Sequence, residues 1–232
     1  MIRIENINAL FMKQVKNTLK NMPVLILFII YPCISLIMTK ALPAQAGSSD
    51  FFLMIFACMH CVFTPIIAAA STLAEEKETN TLRVLVMSNV TLREYFLSNG
   101  SFILFADLIT GSTFLLSVNK TVAGGLLFLL HLGIGCLISI VLGLCIGLYA
   151  KNAAAASGLA VPIGMVFSFM PMLSSFNKSI ENVSRFTYGQ QISYLLAGKQ
   201  LSAAGIIIML VNAAILIALY SFLYKRTLIE EN

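Results

Sequence analysis

Residues Ala74–Phe96 read AEEKETNTLRVLVMSNVTLREYF and form a long polar interruption between two hydrophobic runs. The first half holds four consecutive charged residues, Glu75–Glu78, and a short apolar segment, Leu82–Met87, follows. Thr91 and Glu94 then have the spacing of a capping box, in which the two side chains satisfy backbone donors at the start of a helix. The pattern predicts a helix that leaves the membrane, one short helical step along the surface, and a helix that re-enters.

The composition of the whole chain fixes its broad class. Hydrophobic residues make up 59% of the 232 residues, charged residues only 11%, and Trp is absent. Soluble proteins are about one quarter charged. Runs of about 20 apolar residues are long enough to cross roughly 30 Å of hydrocarbon. The sequence therefore predicts an all-α, polytopic membrane protein whose residues 1–232 form a single transmembrane domain.

The hydrophobic runs predict six membrane spans with short connections after spans three and four. Prolines inside span one (Pro32) and span five (Pro162 and Pro171) predict kinks. In chain order the spans are Pro23–Thr39, Phe51–Leu73, Leu97–Val118, Val122–Ala150, Ala153–Ser175 and Ala203–Tyr224.

The N-terminal segment, residues 1–22, has the pattern of an amphipathic helix. Apolar residues recur at helical spacing, while Lys13, Lys16 and Lys20 occupy the rest of the helix surface. Such a helix lies in the membrane interface with its lysines toward anionic headgroups; a soluble helix packed on another domain is the alternative. Residues Ala44–Ala46 resemble a signal-peptidase site, but the preceding run is long for a signal peptide, which favours an uncleaved anchor.

The distribution of Lys and Arg among the connections predicts the orientation of the chain. If the N-terminus is cytoplasmic, ten basic residues lie in cytoplasmic segments and five in outer segments. This favours two cytoplasmic termini, a cytoplasmic segment 74–96 and an outer segment 176–202, in a multi-pass protein of the cell membrane. A bacterial plasma membrane is the expected location.

Several chemistries have little support in the sequence. A GxxxxGK[ST] phosphate-binding loop is absent, so we expect no ATP hydrolysis by this chain. The pair Glu75-Glu76 is also typical of intramembrane CAAX-type proteases, but the following residues 77–80 do not continue that family's pattern. Cys58 and Cys61 have the spacing of a metal pair, yet a metal site needs further ligands at the same depth. We expect neither an enzyme nor a metal site.

Residues 75–100 resemble the segment between the second and third spans of the permease subunits of type-2 ATP-binding-cassette (ABC) exporters. Shared features are the charged run, a Thr-Leu pair at Thr81-Leu82, a short apolar helix, a turn and a second amphipathic start. Asn80 replaces a usual Gly and Asn89 a frequent Pro, and both substitutes tolerate turn conformations. The remaining architecture is also similar, with an N-terminal amphipathic helix, six spans and a long outer segment before the last span.

The resemblance implies a permease that works as a dimer, with an identical or a related second permease subunit, and is driven by cytoplasmic ABC ATPase subunits. ATP and Mg²⁺ would bind to the ATPase, and this chain would bind no cofactor and no nucleic acid. Its short helix would be a coupling helix that docks on the ATPase. Leu82, Leu85 and Val86 would form an apolar knob. The full set of expected coupling residues is Glu75, Glu76, Glu78, Leu82, Arg83, Leu85, Val86 and Met87.

The cargo would be an amphipathic peptide, an antibiotic or a lipophilic molecule. Aromatic and methionine side chains on spans two and five could line its path, although lipid contact or core packing explains them equally well. These side chains are Phe52, Phe56, Met165, Phe169 and Met172.

Span four carries a stripe of small residues, Gly135, Ser139, Gly143 and Gly147, that lets another helix approach closely. The stripe suits packing within the chain, or a dimer face.

Three polar residues, His60, Asp107 and His131, fall at similar depths inside the spans. Charged residues at such depths rarely face lipid. We expect Asp107 to pair with one of the histidines, as a structural clamp rather than as a proton-coupling group. A secondary transporter or channel without an ATPase is the alternative function, and an intramembrane hydrolase is a more distant one.

Overall fold

The computed structural model describes residues 4–41, 48–88, 90–117 and 121–231. The expected cleavage-like site at 44–46, the turn residue Asn89 and the end of predicted span three, Val118, lie outside these residues. The described chain is helical and contains no strand. Its α-helices are α1 (Ile4–Lys20), α2 (Met22–Ala41), α3 (Ser48–Glu78), α4 (Thr81–Met87), α5 (Leu92–Gly111), α6 (Val122–Tyr149), α7 (Ala153–Ser174), α8 (Lys178–Ser184), α9 (Tyr188–Leu196) and α10 (Ala203–Glu231).

Six of these helices are long and apolar enough to cross a membrane, which confirms the predicted all-α, multi-pass architecture. They are α2, α3, α5 with its 3₁₀ extension Ser112–Ser117, α6, α7 and α10. The most apolar windows of α3 and α6 are 72% buried, whereas that of α10 is only 6% buried. The bundle is therefore built around α3 and α6, while α10 exposes most of its apolar surface to lipid.

The central pair makes most of the packing contacts. α3 packs against α6, α7, α2 and α5, and α6 also packs against α10 and α9. One end of the bundle holds α4 and is called the α4 end below. The opposite end holds α8 and α9 and is called the α9 end.

Close packing of α3 against α6 depends on the predicted small-residue stripe. A Cβ atom added at Gly143 would come within 3.0 Å of backbone and side-chain atoms of Ile66 and Ala69. At Gly147 it would lie 2.9 Å from the carbonyl oxygen of Ala70. The stripe on this face is therefore occupied by α3 of the same chain.

The charged run that was expected to lie in a loop is helical and completes the last turn of α3. Predicted span two ended at Leu73, but α3 continues to Glu78 because Glu and Lys favour the helical conformation. The helix is broken at Asn80, whose φ of 56° lies in the left-handed region. Asn adopts this conformation more readily than most residues do, which explains why the chain can turn at this position.

The predicted capping box at the start of α5 is confirmed. The Thr91 hydroxyl accepts a hydrogen bond from the Glu94 backbone N–H at 3.3 Å, and the Thr91 backbone N–H donates to Glu94 Oε2 at 2.8 Å. The helix consequently begins at Leu92, five residues before the predicted start of span three.

The N-terminal helix α1 is amphipathic as predicted and packs against α5. The rings of Phe11 and Phe102 meet edge to face with centroids 5.8 Å apart. The Ser98 hydroxyl also donates to the Ile7 carbonyl at 3.2 Å. The apolar side of α1 is thus partly covered by protein.

Candidate functional site

The short helix α4 lies between α3 and α5 and presents two different sides. Leu82 is 2% exposed, whereas Val84 and Met87 are 59% and 75% exposed. Arg83 is also exposed and Leu85 is half-buried. One side of α4 is therefore anchored in the bundle, and the other offers two apolar side chains and a guanidinium to solvent.

The prediction that Leu82, Leu85 and Val86 form an apolar knob is wrong for Leu82, because this side chain points into the bundle. It belongs to an apolar cluster with Tyr95 of α5 and Tyr220 of α10. Val84, which the sequence analysis did not select, takes its place on the exposed side. Leu85 packs partly against the same cluster, and the side chain of Val86 lies outside the described part of the structure.

Glu76, the second of the four consecutive charged residues at the base of α3, connects this helix to α1. Glu76 Oε1 accepts hydrogen bonds from Lys13 Nζ at 2.7 Å and from Gln14 Nε2 at 2.9 Å. The Glu76 side chain is 4% exposed and that of Lys13 is 28% exposed. Glu76 is therefore not available to a partner protein, and Lys13 points inward instead of toward headgroups as expected.

The next two residues connect α3 to the turn between α6 and α7. Lys77 Nζ donates to the carbonyl oxygens of Leu148 at 2.6 Å and Ala150 at 2.7 Å, which satisfies acceptors at the C-terminal end of α6. Glu78 Oε2 accepts from the backbone N–H of Ala153 at 3.0 Å, at the first turn of α7. Among the expected coupling acids, only Glu75 and Glu78 are exposed, and Glu78 already makes this bond.

Among the three polar residues expected at one depth, the structure brings His60 and Asp107 together. His60 Nε2 lies 3.0 Å from the Asp107 carbonyl oxygen, 3.2 Å from Asp107 Oδ1 and 3.2 Å from Thr110 Oγ1. The side chains of His60 and Asp107 are both completely buried. His131 lies half-buried on α6.

The Asp107 carboxyl group has few hydrogen-bond donors around it. Among the described residues, neither of its oxygens accepts a hydrogen bond from an N–H or O–H group of suitable geometry. The imidazole ring of His60 is instead held by the Asp107 backbone carbonyl. The contact between α3 and α5 therefore does not require a charged carboxylate.

At the α9 end, a cavity of about 360 Å³ opens between α3, α7, α8 and α9. Its apolar side includes Phe51, Met54, Ile55 and Met172, and its polar side carries Gln190, Glu181, Tyr194 and Lys199. The cavity is thus amphipathic, with the hydroxyl of Ser174 donating to Gln190 Oε1 at 2.9 Å deep in the wall.

Only one of the five expected pathway residues lines this cavity, namely Met172. Phe52 and Phe56 stack on one another along α3 with ring centroids 6.5 Å apart. Phe169 is half-buried, and Met165 is 47% exposed on the outside of α7. The sequence analysis missed the polar wall because it lies on α8 and α9, whose position against α7 cannot be derived from helical spacing.

The polar wall carries one acid, Glu181, and one base, Lys199, both close to Tyr194. Burial and the nearby Glu181 carboxylate raise the pKa of the Tyr194 phenol above its usual value, so this group stays neutral at physiological pH. Lys199 Nζ lies 5.3 Å from the centroid of the same ring, within the range of a cation–π contact. One acid and one base thus lie close to the Tyr194 side chain.

No group of three His, Cys, Asp or Glu side chains in the described ranges is arranged to hold a metal ion. Cys61 Sγ contacts the Cys58 carbonyl oxygen at 3.5 Å, and Cys58 Sγ contacts the Gly189 carbonyl oxygen at 3.7 Å. Both thiols therefore face protein backbone in this structure.

Comparison of the chain with models of known protein families gave no match, and comparison with curated protein sequences gave none either.

Proposed function

We propose that the chain is the permease subunit of an ABC exporter, driven by separate cytoplasmic ATPase subunits through α4. The observation that carries the proposal is the two-sided geometry of α4. Leu82 anchors α4 in the bundle and thereby holds the exposed side chains of Val84 and Met87 in a fixed position on the opposite side, where a partner could cover them. Exposed apolar side chains rimmed by charge are typical of a surface that another protein covers.

The base of α3 offers a route by which movement of α4 reaches the rest of the bundle. Glu76, Lys77 and Glu78 bond to α1, to the end of α6 and to the start of α7, respectively. When ATPase closure displaces α4, these three connections move together with the base of α3. Because α3 and α7 also border the cavity at the α9 end, the displacement changes the shape of that cavity.

The cargo class follows from the walls of the same cavity. An apolar side beside a polar side with one acid and one base suits an amphipathic molecule such as a peptide or a lipophilic antibiotic. The volume of about 360 Å³ is at the lower end of the range for small-molecule sites, so the cavity holds one part of such a cargo at a time. In this proposal the chain works as a dimer in the cell membrane, with α4 and both termini on the cytoplasmic side.

The test compares two substitutions at equally exposed valines. Val84→Asp places a charge on the exposed side of α4, and Val183→Asp does the same on α8 at the α9 end, where the side chain is 60% exposed. Each variant is co-expressed with the ABC ATPase subunits of the same source, and co-purification and cargo-stimulated ATP hydrolysis are measured. We expect Val84→Asp to abolish both and Val183→Asp to retain both. If Val84→Asp binds and stimulates an ATPase as well as the unmodified chain does, α4 is not the docking helix.

An ion-coupled transporter is the second candidate, and the buried contact between His60 and Asp107 is the observation that favours it. Intramembrane acids are often part of proton or ion pathways. This candidate predicts that the chain alone, reconstituted in liposomes, accumulates cargo under a pH gradient and that Asp107→Asn stops the uptake. ATP-dependent transport that continues with Asp107→Asn argues for the exporter instead.

A further inference from the structure

An apolar groove of about 310 Å³ lies between α1, α2 and α5. Its only polar lining residues are Thr18 and Thr110, and the Thr110 hydroxyl is already bonded to the Ala106 carbonyl at 2.8 Å. The groove opens toward lipid, because Leu19 and Phe105 are 63% and 59% exposed. It therefore suits a hydrocarbon chain and offers no site for a polar ligand.

A polar cavity of about 290 Å³ adjoins this groove at the corner where α1 joins α2. Thr18 borders both spaces, and the neighbouring residues Val24 and Leu25 of α2 line the cavity and the groove, respectively. The polar lining of the cavity includes Lys13, Glu75, Glu76, Asn17, Asn21 and Thr79.

The polar cavity has an excess of negative charge. Among the described side chains that line it, Glu75 and Glu76 are the acids, and the base Lys13 is bound to Glu76 at 2.7 Å. Glu76 is buried and also has the Tyr95 side chain beside it, so the exposed Glu75 carboxylate is the acid left for a ligand. One further positive charge would neutralise the two acids together with Lys13.

We propose that this corner binds a phospholipid whose headgroup ends in a primary ammonium, with one acyl chain in the apolar groove. The two spaces lie side by side at the α4 end, where α2 begins at Met22 and the apolar part of α3 gives way to charge. A lipid of one leaflet has its chain and its headgroup at these two depths. The ammonium N–H groups find acceptors in the acids and in the Thr and Asn side-chain oxygens.

Other headgroups fit this charge pattern less well. All three headgroups carry the same phosphate, but phosphatidylglycerol has no cation beside it to offset the acids, and the cavity's own Lys13 is already engaged by Glu76. A choline group carries the positive charge but has no N–H group to donate to the carboxylates. The site therefore distinguishes phosphatidylethanolamine from both. The inference does not depend on the exporter proposal.

The experiment measures lipid binding to the full chain purified in detergent. Phosphatidylethanolamine, phosphatidylcholine and phosphatidylglycerol with the same acyl chains are added in turn, and bound lipid is counted by native mass spectrometry. We expect phosphatidylethanolamine to bind most tightly. Glu75→Gln is expected to weaken its binding about threefold, because Glu75 is exposed and ion pairs in water are modest. Lys178→Gln, an exposed charge at the α9 end that lines neither of these spaces nor the α9-end cavity, serves as the charge control and is expected to change nothing.

The acyl-chain part of the site is tested with two tryptophan substitutions on α2. Ile29→Trp fills the groove, whereas Ile37→Trp adds the same bulk at an equally exposed position of the same helix outside it. We expect only Ile29→Trp to displace phosphatidylethanolamine. Equal binding of the three lipids, preference for phosphatidylglycerol, or unchanged binding in both Glu75→Gln and Ile29→Trp would each overturn the proposal.

Discussion

Lys13 lies on the charged side of α1, yet its ammonium group bonds to Glu76 of α3 rather than to solvent. Replacing it by Met keeps most of the stem and removes the charge-assisted bond to a buried carboxylate. We expect Lys13→Met to lower stability by about 1–3 kcal/mol. The apparent melting temperature of the full chain in detergent reports the loss. Lys16→Met removes an exposed lysine from the same helix and should change stability by less than about 0.5 kcal/mol. Equal melting temperatures for the two variants would contradict the structural role of Lys13.

Two buried carboxyl groups, Glu76 and Asp107, have opposite surroundings and should respond oppositely to amidation. Glu76 Oε1 accepts two side-chain hydrogen bonds, one of them from Lys13. Asp107 Oδ1 lies 3.2 Å from His60 Nε2, but without the geometry of a hydrogen bond, and the Cys136 thiol is the other donor beside the carboxyl group. An uncharged amide costs less to bury than a carboxylate with so few donors. We expect Asp107→Asn to keep or raise the melting temperature and Glu76→Gln to lower it. A larger loss with Asp107→Asn would show that its carboxylate itself holds α3 to α5.

The roles of several single residues could be predicted from their neighbours in sequence, but which side chains are buried could not. The capping box at Thr91 and Glu94 depends on residues three apart, and the turn at Asn80 depends on one backbone conformation. Leu82 and Glu76, in contrast, are buried by residues far away in sequence. Leu82 belongs to the same apolar cluster as Tyr220, and Glu76 bonds to Lys13, 63 positions earlier. No periodicity within one helix contains that information.

At the level of the helices, the glycines of α6 show that α3 and α6 are closely packed. Gly143→Ala is expected to cost about 1–3 kcal/mol, because the new methyl group overlaps the Ile66 carbonyl and α3 must move. Gly158→Ala on α7 is the matched change, since nothing lies within 4 Å of the added atom. It should be neutral or slightly stabilising, because Ala favours helix more than Gly does. The measurement is the melting temperature of each variant. Equal values for Gly143→Ala and Gly158→Ala would mean that α3 and α6 are not closely packed at Gly143.

The existence of the six spanning helices was predictable because apolar runs of this length have few alternative structures. The residues at which these helices begin and end were less predictable. The charged end of α3 was expected in a loop, yet helix propensity and the bonds made by Lys77 and Glu78 extend the helix to Glu78. The pathway residues on α3 and α7 were chosen by spacing alone. Only Met172 reached the cavity, because the rotation of each helix about its own axis is set by packing partners on other helices.

On the scale of the whole molecule, the two ends of the bundle differ in what they offer to other molecules. The α4 end holds the exposed side of α4, the charged base of α3 and the polar cavity beside α1. The α9 end holds the amphipathic cavity walled by α8 and α9. An ATP-driven exporter needs its energy-receiving surface and its exit on opposite sides of the membrane. The arrangement meets that requirement only if the α4 end is cytoplasmic, as the excess of Lys and Arg in the segments at that end predicts.

Orientation is therefore the prediction on which the functional proposals depend most. Cys33 is the exposed cysteine among the five, and Cys33→Ser removes it as a background for labelling. In this background, Ser88→Cys marks the α4 end and Ser179→Cys marks the α9 end, and both positions are exposed. A membrane-impermeant maleimide applied to intact cells should label Ser179→Cys at once and Ser88→Cys only after the membrane is permeabilised. The reverse pattern would place α4 outside the cell, where no cytoplasmic ATPase can reach it, and the exporter proposal would fail.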